Sequence, residues 1–371
     1  RHHRCVPTTS WRGQVGVSHA HGRLPSVLRA AWLPRSIAFP PAERKHYLSA
    51  VAISLARTRR TMMRSVLFWL STRQSIFNFM RRNRLARKFA SRFVAGESVG
   101  DAVAAAADLQ ARTIAASLDM LGESVTKAAE AEQARDTYLG MLRAMQSAGV
   151  EVNVSVKLTQ MGLDIDAGLC ERNVRAILGL ARELNGFVRL DMEGSSYTQP
   201  TLDFFEHRLV TDFGDHTGVV IQAALRRSTD DVANLIRLGA RVRLCKGAYL
   251  EKPDIAFPDK KDVDAHYVRL MEQLLASGHY PGIATHDEAI IAHAKRFVAQ
   301  HDIARDRFEF QMLYGVRRDL QEQLAREGYR IRVYIPFGTH WYPYLMRRLA
   351  ERPANIVFIL GNVIKEGVRR A

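Results

Sequence analysis

Cysteine is scarce in this chain of 371 residues, and the three that occur, Cys5, Cys170 and Cys245, lie far apart in the sequence. None of them forms the C-x-x-C spacing of zinc and redox motifs, so we expect no metal site and no disulfide framework. Scattered single cysteines are typical of proteins in a reducing compartment. The scarcity therefore favours a cytoplasmic location.

Long apolar runs are missing as well. The run at residues 47–56 is too short to span a bilayer, which takes about 20 apolar residues. Arg57, Arg59 and Arg60 follow this run, whereas the basic residues of a signal peptide precede its apolar part. We predict neither a signal peptide nor a transmembrane helix.

Acidic residues are almost absent from the first part of the chain. Residues 1–61 contain 11 basic residues and one acidic residue, so they carry +10 of the net charge of +16. The basic excess is a property of this terminus, and we expect no nucleic-acid partner. Residues 1–61 are interpreted as a poorly ordered basic extension or an upstream segment translated in error, because the first methionines are Met62 and Met63. A transit peptide is the alternative.

The rest of the chain has a regular alternation of short β-like runs and helical stretches. Residues 62–110 are predicted to form N-terminal helices, and an alanine-rich helix is predicted over Asp101–Ala116. Residues 111–371 then have the size of a (β/α)8 barrel, whereas an open doubly wound sheet is disfavoured because no G-x-G-x-x-G follows any strand. The predicted strands are Ile114–Leu118, Val152–Lys157, Phe187–Asp191, Val219–Ala223, Val242–Lys246, Gly282–His286, Phe308–Leu313 and Ile331–Ile335.

Each predicted strand ends in residues that could take part in chemistry. Active sites of such barrels form at the C-terminal ends of the strands. Several of these residues are cations, which indicates an anionic substrate or cofactor. The residues are Asp119, Lys157, Asp191 with Glu193, Gln222, Arg243 with Lys246, Thr285 with His286, Gln311 and Tyr334.

The segment Ile331–Glu351 is predicted to be a strand, a turn and a helix. Pro336 and Gly338 mark the turn, and the apolar spacing predicts a helix from Trp341 to Glu351. This helix carries Arg347 and Arg348. Taken alone, the two arginines fit a solvated basic stripe better than a binding site.

Six motifs in order resemble the FAD-dependent proline dehydrogenases, most closely the short monofunctional bacterial form, over about residues 64–362. The resemblance implies a distorted (β/α)8 barrel with a final helix over its mouth and non-covalent FAD. It also implies oxidation of L-proline to Δ1-pyrroline-5-carboxylate, with electrons passed to a membrane quinone. The motifs are Val154–Leu158, Leu190–Glu193, Arg243–Tyr249, Ala284–His286, Phe308–Leu313 and Tyr344–Arg348.

The resemblance assigns one set of residues to the substrate. Lys157, Arg347 and Arg348 match the family's clamp on the substrate carboxylate, and Glu351 matches the partner that orients an arginine. Phe337 stands where some relatives have a tyrosine beside the substrate. The remaining substrate contacts are Tyr249, Leu313 and Tyr344.

A second set matches catalytic and cofactor residues. Asp191, Arg243 and Tyr334 match catalytic positions, and Arg243 also contacts the cofactor. The amide of Gln222 suits the pyrimidine edge of a flavin, because it can both donate and accept. The other cofactor contacts are Met192, Lys246, Gly247, Ala248, Thr285, His286 and Gln311.

Two other functions remain open at this point. One is a flavin-dependent barrel enzyme that acts on another small amino or imino acid, such as hydroxyproline. The other is a membrane- or nucleic-acid-binding protein, for which steeply salt-dependent binding to DNA or RNA would be expected. The main interpretation adds peripheral contact with the inner membrane, mitochondrial if the source is eukaryotic.

Overall fold

The fold is a closed barrel of eight parallel strands in sequence order, with β8 paired to β1. A computed structural model describes residues 90–249 and 251–351, with the backbone only for 347–351. The predicted extension at 1–61 and the predicted helices before residue 90 lie outside this part. The strands are β1 Ala115–Met120, β2 Asn153–Val156, β3 Phe187–Leu190, β4 Thr217–Gln222, β5 Arg241–Cys245, β6 Gly282–Ala284, β7 Glu309–Leu313 and β8 Ile331–Phe337.

Helices alternate with the strands, and within residues 90–114 one helix precedes the barrel. Short 3-10 turns at Ser195–Tyr197 and Gly214–His216 complete the connections. Among the described residues, no helix is both long enough and apolar enough to cross a bilayer. The helices are α1 Val99–Gln110, α2 Ala128–Ser147, α3 Ala167–Glu183, α4 Thr198–Arg208, α5 Val210–Phe213, α6 Ser228–Arg237, α7 Lys260–Ser277, α8 Glu288–Gln300, α9 Arg318–Arg326 and α10 Trp341–Glu351.

All eight predicted strands are confirmed, and so is α10. The predicted helix over Asp101–Ala116 is wrong at its C-terminal end, because α1 stops at Gln110. Thr113 has a φ of 60°, which breaks the helix, and Ala115 and Ala116 pair with β8. Strand pairing therefore overrides the helical preference of alanine at this point.

The strands separate an apolar core, which lies between the barrel and the helices, from the polar interior of the barrel itself. Residues that face outward from the barrel, such as Val154, Leu190 and Val333, are fully buried with helix residues such as Tyr138 and Ile177 in one apolar core. The alternate residues face the barrel axis, where many of them are polar. Arg243 on β5 bonds to Ser155 on β2 and to Gln311 on β7, which are not its neighbouring strands. The barrel is therefore filled by polar contacts along its axis.

Helix α10 starts at the C-terminal end of the barrel. Trp341, Tyr342 and Leu345 are buried against Leu121, the residue that follows β1, and against Val94. The indole Nε1 of Trp341 also donates to Oε1 of Glu97 at 3.2 Å. These contacts hold the beginning of α10 at the barrel mouth, and the resemblance implies that a final helix lies over this opening.

Gly282 leaves room for a side chain that crosses the barrel. A Cβ atom at this position would lie 2.4 Å from Nε2 of Gln311, well inside van der Waals contact. Gln311 is held on both sides, because it accepts from Arg243 and donates to Glu309. A side chain at position 282 would therefore displace a group that cannot easily move.

We predict that Gly282→Ala lowers the free energy of unfolding by about 1–3 kcal/mol, the range for overpacking an interior. Gly179→Ala in α3 is the matched control, because its Cβ meets no atom within 4 Å. The control should raise stability by roughly 0.5–1 kcal/mol through higher helix propensity. Urea denaturation measures both changes, and equal effects of the two substitutions would contradict the packing described here.

Candidate active site

Five charged or hydroxylated side chains meet at the C-terminal mouth of the barrel. They come from five different strands or strand ends, and sequence analysis had placed all of them at this rim. Their side chains are buried or nearly so. The five are Asp119, Lys157, Asp191, Arg243 and Tyr334.

Lys157 and Asp119 form a buried ion pair. Nζ of Lys157 lies 2.7 Å from Oδ1 of Asp119, and the two side chains are 11% and 1% exposed. Burial alone lowers the pKa of the Lys157 ammonium, but the charges of Asp119 and Asp191 outweigh it and raise the pKa above its usual value. The ammonium therefore stays charged at neutral pH. Asp119 occupies one of the three hydrogen-bond donors of the Lys157 ammonium, so the ammonium can also bind an anionic group of a ligand.

Asp191 is held by two donors from opposite sides of the barrel. Nη1 of Arg243 donates to Oδ1 at 2.8 Å, and the hydroxyl of Tyr334 donates to Oδ2 at 2.7 Å. Burial raises the pKa of Tyr334 well above its usual value, and the charges of Asp119 and Asp191 add to this rise. The phenol therefore remains a proton donor. The guanidinium carbon of Arg243 also lies 5.2 Å from the centre of the Tyr334 ring, a cation–π contact.

The same guanidinium is fixed from below by a chain of further contacts. Nε of Arg243 donates to Oε1 of Gln311, whose Nε2 donates to Oε1 of Glu309 at 2.5 Å. Nε of Arg332 donates to both oxygens of Glu309, at 2.8 and 3.1 Å. Because a carboxylate only accepts, Glu309 determines which way the Gln311 amide points. We call Arg332, Glu309, Gln311, Arg243 and Asp191 the axial network.

Glu309 is the buried anion of this network. Burial would raise the pKa of its carboxyl, but Arg332 and the hydrogen bonds from Arg332 and Gln311 hold the pKa below its usual value. The carboxylate is therefore charged at neutral pH. The carboxylate accepts hydrogen bonds from Arg332 on the side of the barrel base and from the Gln311 amide on the side of the mouth.

Gln222 and Gly247 form a bare, polar surface next to this mouth. Nε2 of Gln222 donates to the carbonyl of Glu193 at 2.7 Å, which fixes the direction of the amide. Gly247 has a φ of 101°, and a Cβ there would lie 2.9 Å from Oε1 of Gln222 and 3.2 Å from Cβ of Ala224. Only glycine fits, and its exposed backbone permits close approach of a flat ring. These residues fit the pyrimidine edge of a flavin.

Lys246 is placed differently from the other cations. Its Nζ lies 2.6 Å from Oδ1 of Asp264 and 2.9 Å from Oδ2 of Asp287. Burial raises the pKa of Asp287, but the hydrogen bond and charge of Lys246 outweigh it, so the pKa lies below its usual value. A phosphate group that contacts Lys246 must therefore compete with two carboxylates.

Thr285 and His286 follow β6 and are tied to neighbouring residues. The backbone N–H of Leu313 donates to Nε2 of His286 at 2.9 Å, so Nε2 carries no proton in this arrangement. Oγ1 of Thr285 accepts from the backbone N–H of Asp287 at 3.1 Å. The end of β6 is thereby fixed against the end of β7, where Gln311 and Leu313 lie.

The other predicted site residues divide into three groups. Met192 and Tyr344 are buried, whereas Ala248, Tyr249 and Leu313 are half-buried. Met192 belongs to the main apolar core, and Tyr344 to the smaller cluster around α10. The side chains of Arg347, Arg348 and Glu351 lie outside the described part of the chain, although their backbone belongs to α10.

Phe337 does not lie beside the mouth. On β8 it has the same orientation as Val333 and Ile335, opposite to Tyr334, and it is buried in the main apolar core. The expectation that it lines the substrate pocket is therefore wrong. The presence of phenylalanine instead of tyrosine at this position therefore affects the packing of the core.

The partners that hold the site are not evident from the sequence. Asp119 is expected at the rim but not as the partner of Lys157, and no role is expected for Ser155, Glu309 or Arg332. One sequence feature could have indicated these partners. Polar residues alternate with apolar ones in β7 and β8, whereas buried parallel strands are usually apolar throughout.

The fold and the position of these side chains define a (β/α)8-barrel protein with its candidate site at the C-terminal mouth. Residues 102–359 match the family model described as proline dehydrogenase. The chain belongs to the proline dehydrogenase family.

Named relatives of the chain cover most of its length. It is 46% identical to the proline dehydrogenase of Deinococcus radiodurans over 280 residues, which are 74% of this chain and 90% of that protein. It is 40% identical to proline dehydrogenase 1 of Bacillus subtilis over 305 residues, 82% of this chain and 100% of that protein.

A solved structure of a larger relative has the same fold. It is proline utilization A (PutA) from Bdellovibrio bacteriovorus inactivated by N-propargylglycine, with a TM-score of 0.68 and 27% identity. The match covers 75% of this chain and 34% of the PutA chain, so the chain spans about a third of the length of that protein.

We predict that Asp119→Asn lowers the free energy of unfolding by about 3–5 kcal/mol, because it leaves the buried Lys157 ammonium without its partner. Asp108→Asn is the control, because it breaks a pair of similar length, 2.8 Å from Arg112, whose side chains are 75% and 41% exposed. Water solvates both partners there, so stability should change little. Comparable losses in the two variants, measured by urea denaturation, would show that the Lys157 pair is not buried in solution.

Proposed function

We propose that the protein is an FAD-dependent proline dehydrogenase that oxidises L-proline to Δ1-pyrroline-5-carboxylate. The single observation that carries the proposal is that the family match spans all eight strands, whose C-terminal ends carry the buried cations of the site. A small zwitterion with one carboxylate suits such a mouth, because its anionic end can be bound by fixed cations.

The substrate carboxylate binds to Lys157 together with Arg347 and Arg348. Lys157 contributes a buried ammonium whose charge is maintained by Asp119. Three cations around one carboxylate hold the proline ring in one orientation, which lowers the entropic part of the barrier. In this role Asp119 is a positioning residue that acts through Lys157.

Asp191, Arg243 and Tyr334 form the inner wall of the site. Arg243 brings a fixed positive charge that stabilises negative charge developing next to it, without reorganisation during the reaction. The Asp191 carboxylate accepts from that guanidinium at 2.8 Å and from the Tyr334 hydroxyl at 2.7 Å, which keeps the guanidinium in place.

Bound FAD would supply a hydride acceptor for the proline ring carbon next to the nitrogen. The Gln222 amide and the bare backbone at Gly247 would hold the flavin edge, and Arg243 would contribute its charge. The residues proposed to complete the cofactor site are Met192, Lys246, Ala248, Thr285, His286 and Gln311.

The proposal extends to the electron acceptor and the location. A membrane quinone takes the two electrons, and the protein touches the inner membrane peripherally from the cytoplasmic side, or from within the mitochondrion in a eukaryote. Both points rest on membership of the family, and reduction of a quinone analogue in a vesicle suspension tests them.

We predict that the purified full chain carries flavin absorbance and that L-proline bleaches it in the absence of oxygen. Hydroxyproline should bleach it more slowly. A colourless protein, or a flavin that proline leaves oxidised, contradicts the proposal. Fast bleaching by hydroxyproline alone would favour the second candidate, an enzyme for another imino acid.

Arg348→Met removes one charge-assisted hydrogen bond to the substrate carboxylate. Such a bond is worth roughly 1.5–3 kcal/mol, so KM for proline should rise about tenfold to a hundredfold while FAD is retained. Arg326→Met is the control, because Arg326 is exposed on α9 and makes only a loose pair with Glu322 at 3.9 Å. If steady-state kinetics give the same KM for both variants, the clamp assignment is wrong.

A further inference from the structure

A second polar cavity lies at the opposite end of the barrel from the candidate active site. Its volume is about 570 Å³, and it is lined by the N-terminal ends of β1, β5, β7 and β8. We call it the basal pocket. The residues that matter for its charge are Glu151, Arg241, Tyr280, Glu309, Arg330 and Arg332.

The arginines of the basal pocket are not matched by carboxylates. Arg332 takes up both acids, because it bonds to Glu309 at 2.8 Å and to Glu151 at 2.8 Å. Across residues 90–249 and 251–346, neither Arg241 nor Arg330 has a carboxylate within 4.0 Å. Arg241 and Arg330 therefore lie in the pocket without a carboxylate at close range, and the three arginines and two glutamates of its lining carry a net formal charge of +1.

Arg241 is held rigidly at the pocket wall. Its guanidinium carbon lies 4.3 Å from the ring centre of Phe187 and 4.6 Å from that of Tyr280, so it is enclosed between two aromatic side chains. Nη1 of Arg330 donates to the hydroxyl of Tyr280 at 3.2 Å. Both cations are thus oriented by the same tyrosine. A guanidinium fixed in this way loses little further freedom when it binds an oxyanion.

We propose that the basal pocket binds a small oxyanion, of the chemical class of inorganic phosphate and short dicarboxylates. Two guanidinium groups without a close carboxylate can share the oxygens of one such anion, because the planar fork of arginine binds them with paired hydrogen bonds. The site is separate from the substrate mouth, and it does not depend on which reaction the enzyme catalyses.

Calorimetric titration of the flavin-loaded full chain with inorganic phosphate tests this proposal. The titration is done at constant ionic strength, at a pH where phosphate is mostly a dianion. One phosphate per chain should bind, and Arg241→Gln and Arg330→Gln should each weaken binding at least about tenfold. Arg318→Gln removes the same charge from an exposed position on α9 and should leave the affinity unchanged. A parallel titration with succinate identifies which member of the class binds better.

Two results would overturn the proposal. One is the absence of saturable binding of either anion up to about 10 mM, far above the range of a specific site. The other is an equal affinity for wild type, Arg330→Gln and Arg318→Gln, which would assign the heat to non-specific charge effects. Arg330 is exposed, so its substitution tests the site even if Arg241→Gln does not fold.

Discussion

The hydrogen-bonded pair of Glu309 and Arg332 inside the barrel is the interaction on which the site depends. Glu309 fixes the Gln311 amide, Gln311 fixes Nε of Arg243, and Arg243 holds Asp191. The axial network therefore connects the base of the barrel to its mouth through β3, β5, β7 and β8. Loss of Arg332 would leave the buried Glu309 carboxylate without its cationic partner, which typically costs about 3–5 kcal/mol.

This network explains how a charged site persists in the interior of a protein. Buried arginines and carboxylates are tolerated only when each has partners of opposite charge and matching hydrogen bonds. Arg243 has Asp191 and Gln311, and Lys157 has Asp119. The carboxylates thus keep the cations charged, while the donors left over at the mouth remain for a ligand. An anionic substrate can then bind without the protein rearranging to create positive charge.

The same arrangement gives different roles to the two kinds of cation at the rim. Arg243 and Lys157 are buried and point along the axis, whereas Lys246 lies outside it, between Asp264 and Asp287. A preorganised buried cation stabilises charge on a reacting group far better than a solvated one. We therefore assign the proposed chemistry to the residues on the barrel axis. The proposed contact of Lys246 with the cofactor lies at the periphery of the mouth.

Much of the fold could be predicted from the sequence, because the signals were local. Runs such as Val152–Lys157 and Val219–Ala223 are rich in valine and isoleucine and lie between turn residues, so all eight strands were located. The apolar spacing from Trp341 gave the bounds of α10. The helix predicted in the alanine-rich stretch after Asp101 is too long, because helix propensity could not reveal that Ala115 pairs with β8.

The partners of the site residues could not be predicted in this way. Asp119 and Lys157 are 38 residues apart, and Arg243 and Gln311 are 68 apart, so only closure of the barrel brings them together. The acids that bind Lys246 are Asp264 within α7 and Asp287 just before α8, and the strand pattern does not show that they meet. The sequence indicated which residues carry chemistry, whereas the ion pairs that orient them are a property of the closed fold.

A double-mutant cycle between Glu309→Gln and Asp191→Asn tests the axial network most directly. These side chains are linked through Gln311 and Arg243, and each single loss should disturb the same guanidinium. With free energies of unfolding from urea denaturation of the flavin-free protein, we expect a coupling energy of at least about 1 kcal/mol. If the sum of the two single-mutant changes equals the change in the double mutant within about 0.3 kcal/mol, as for independent sites, the account is contradicted.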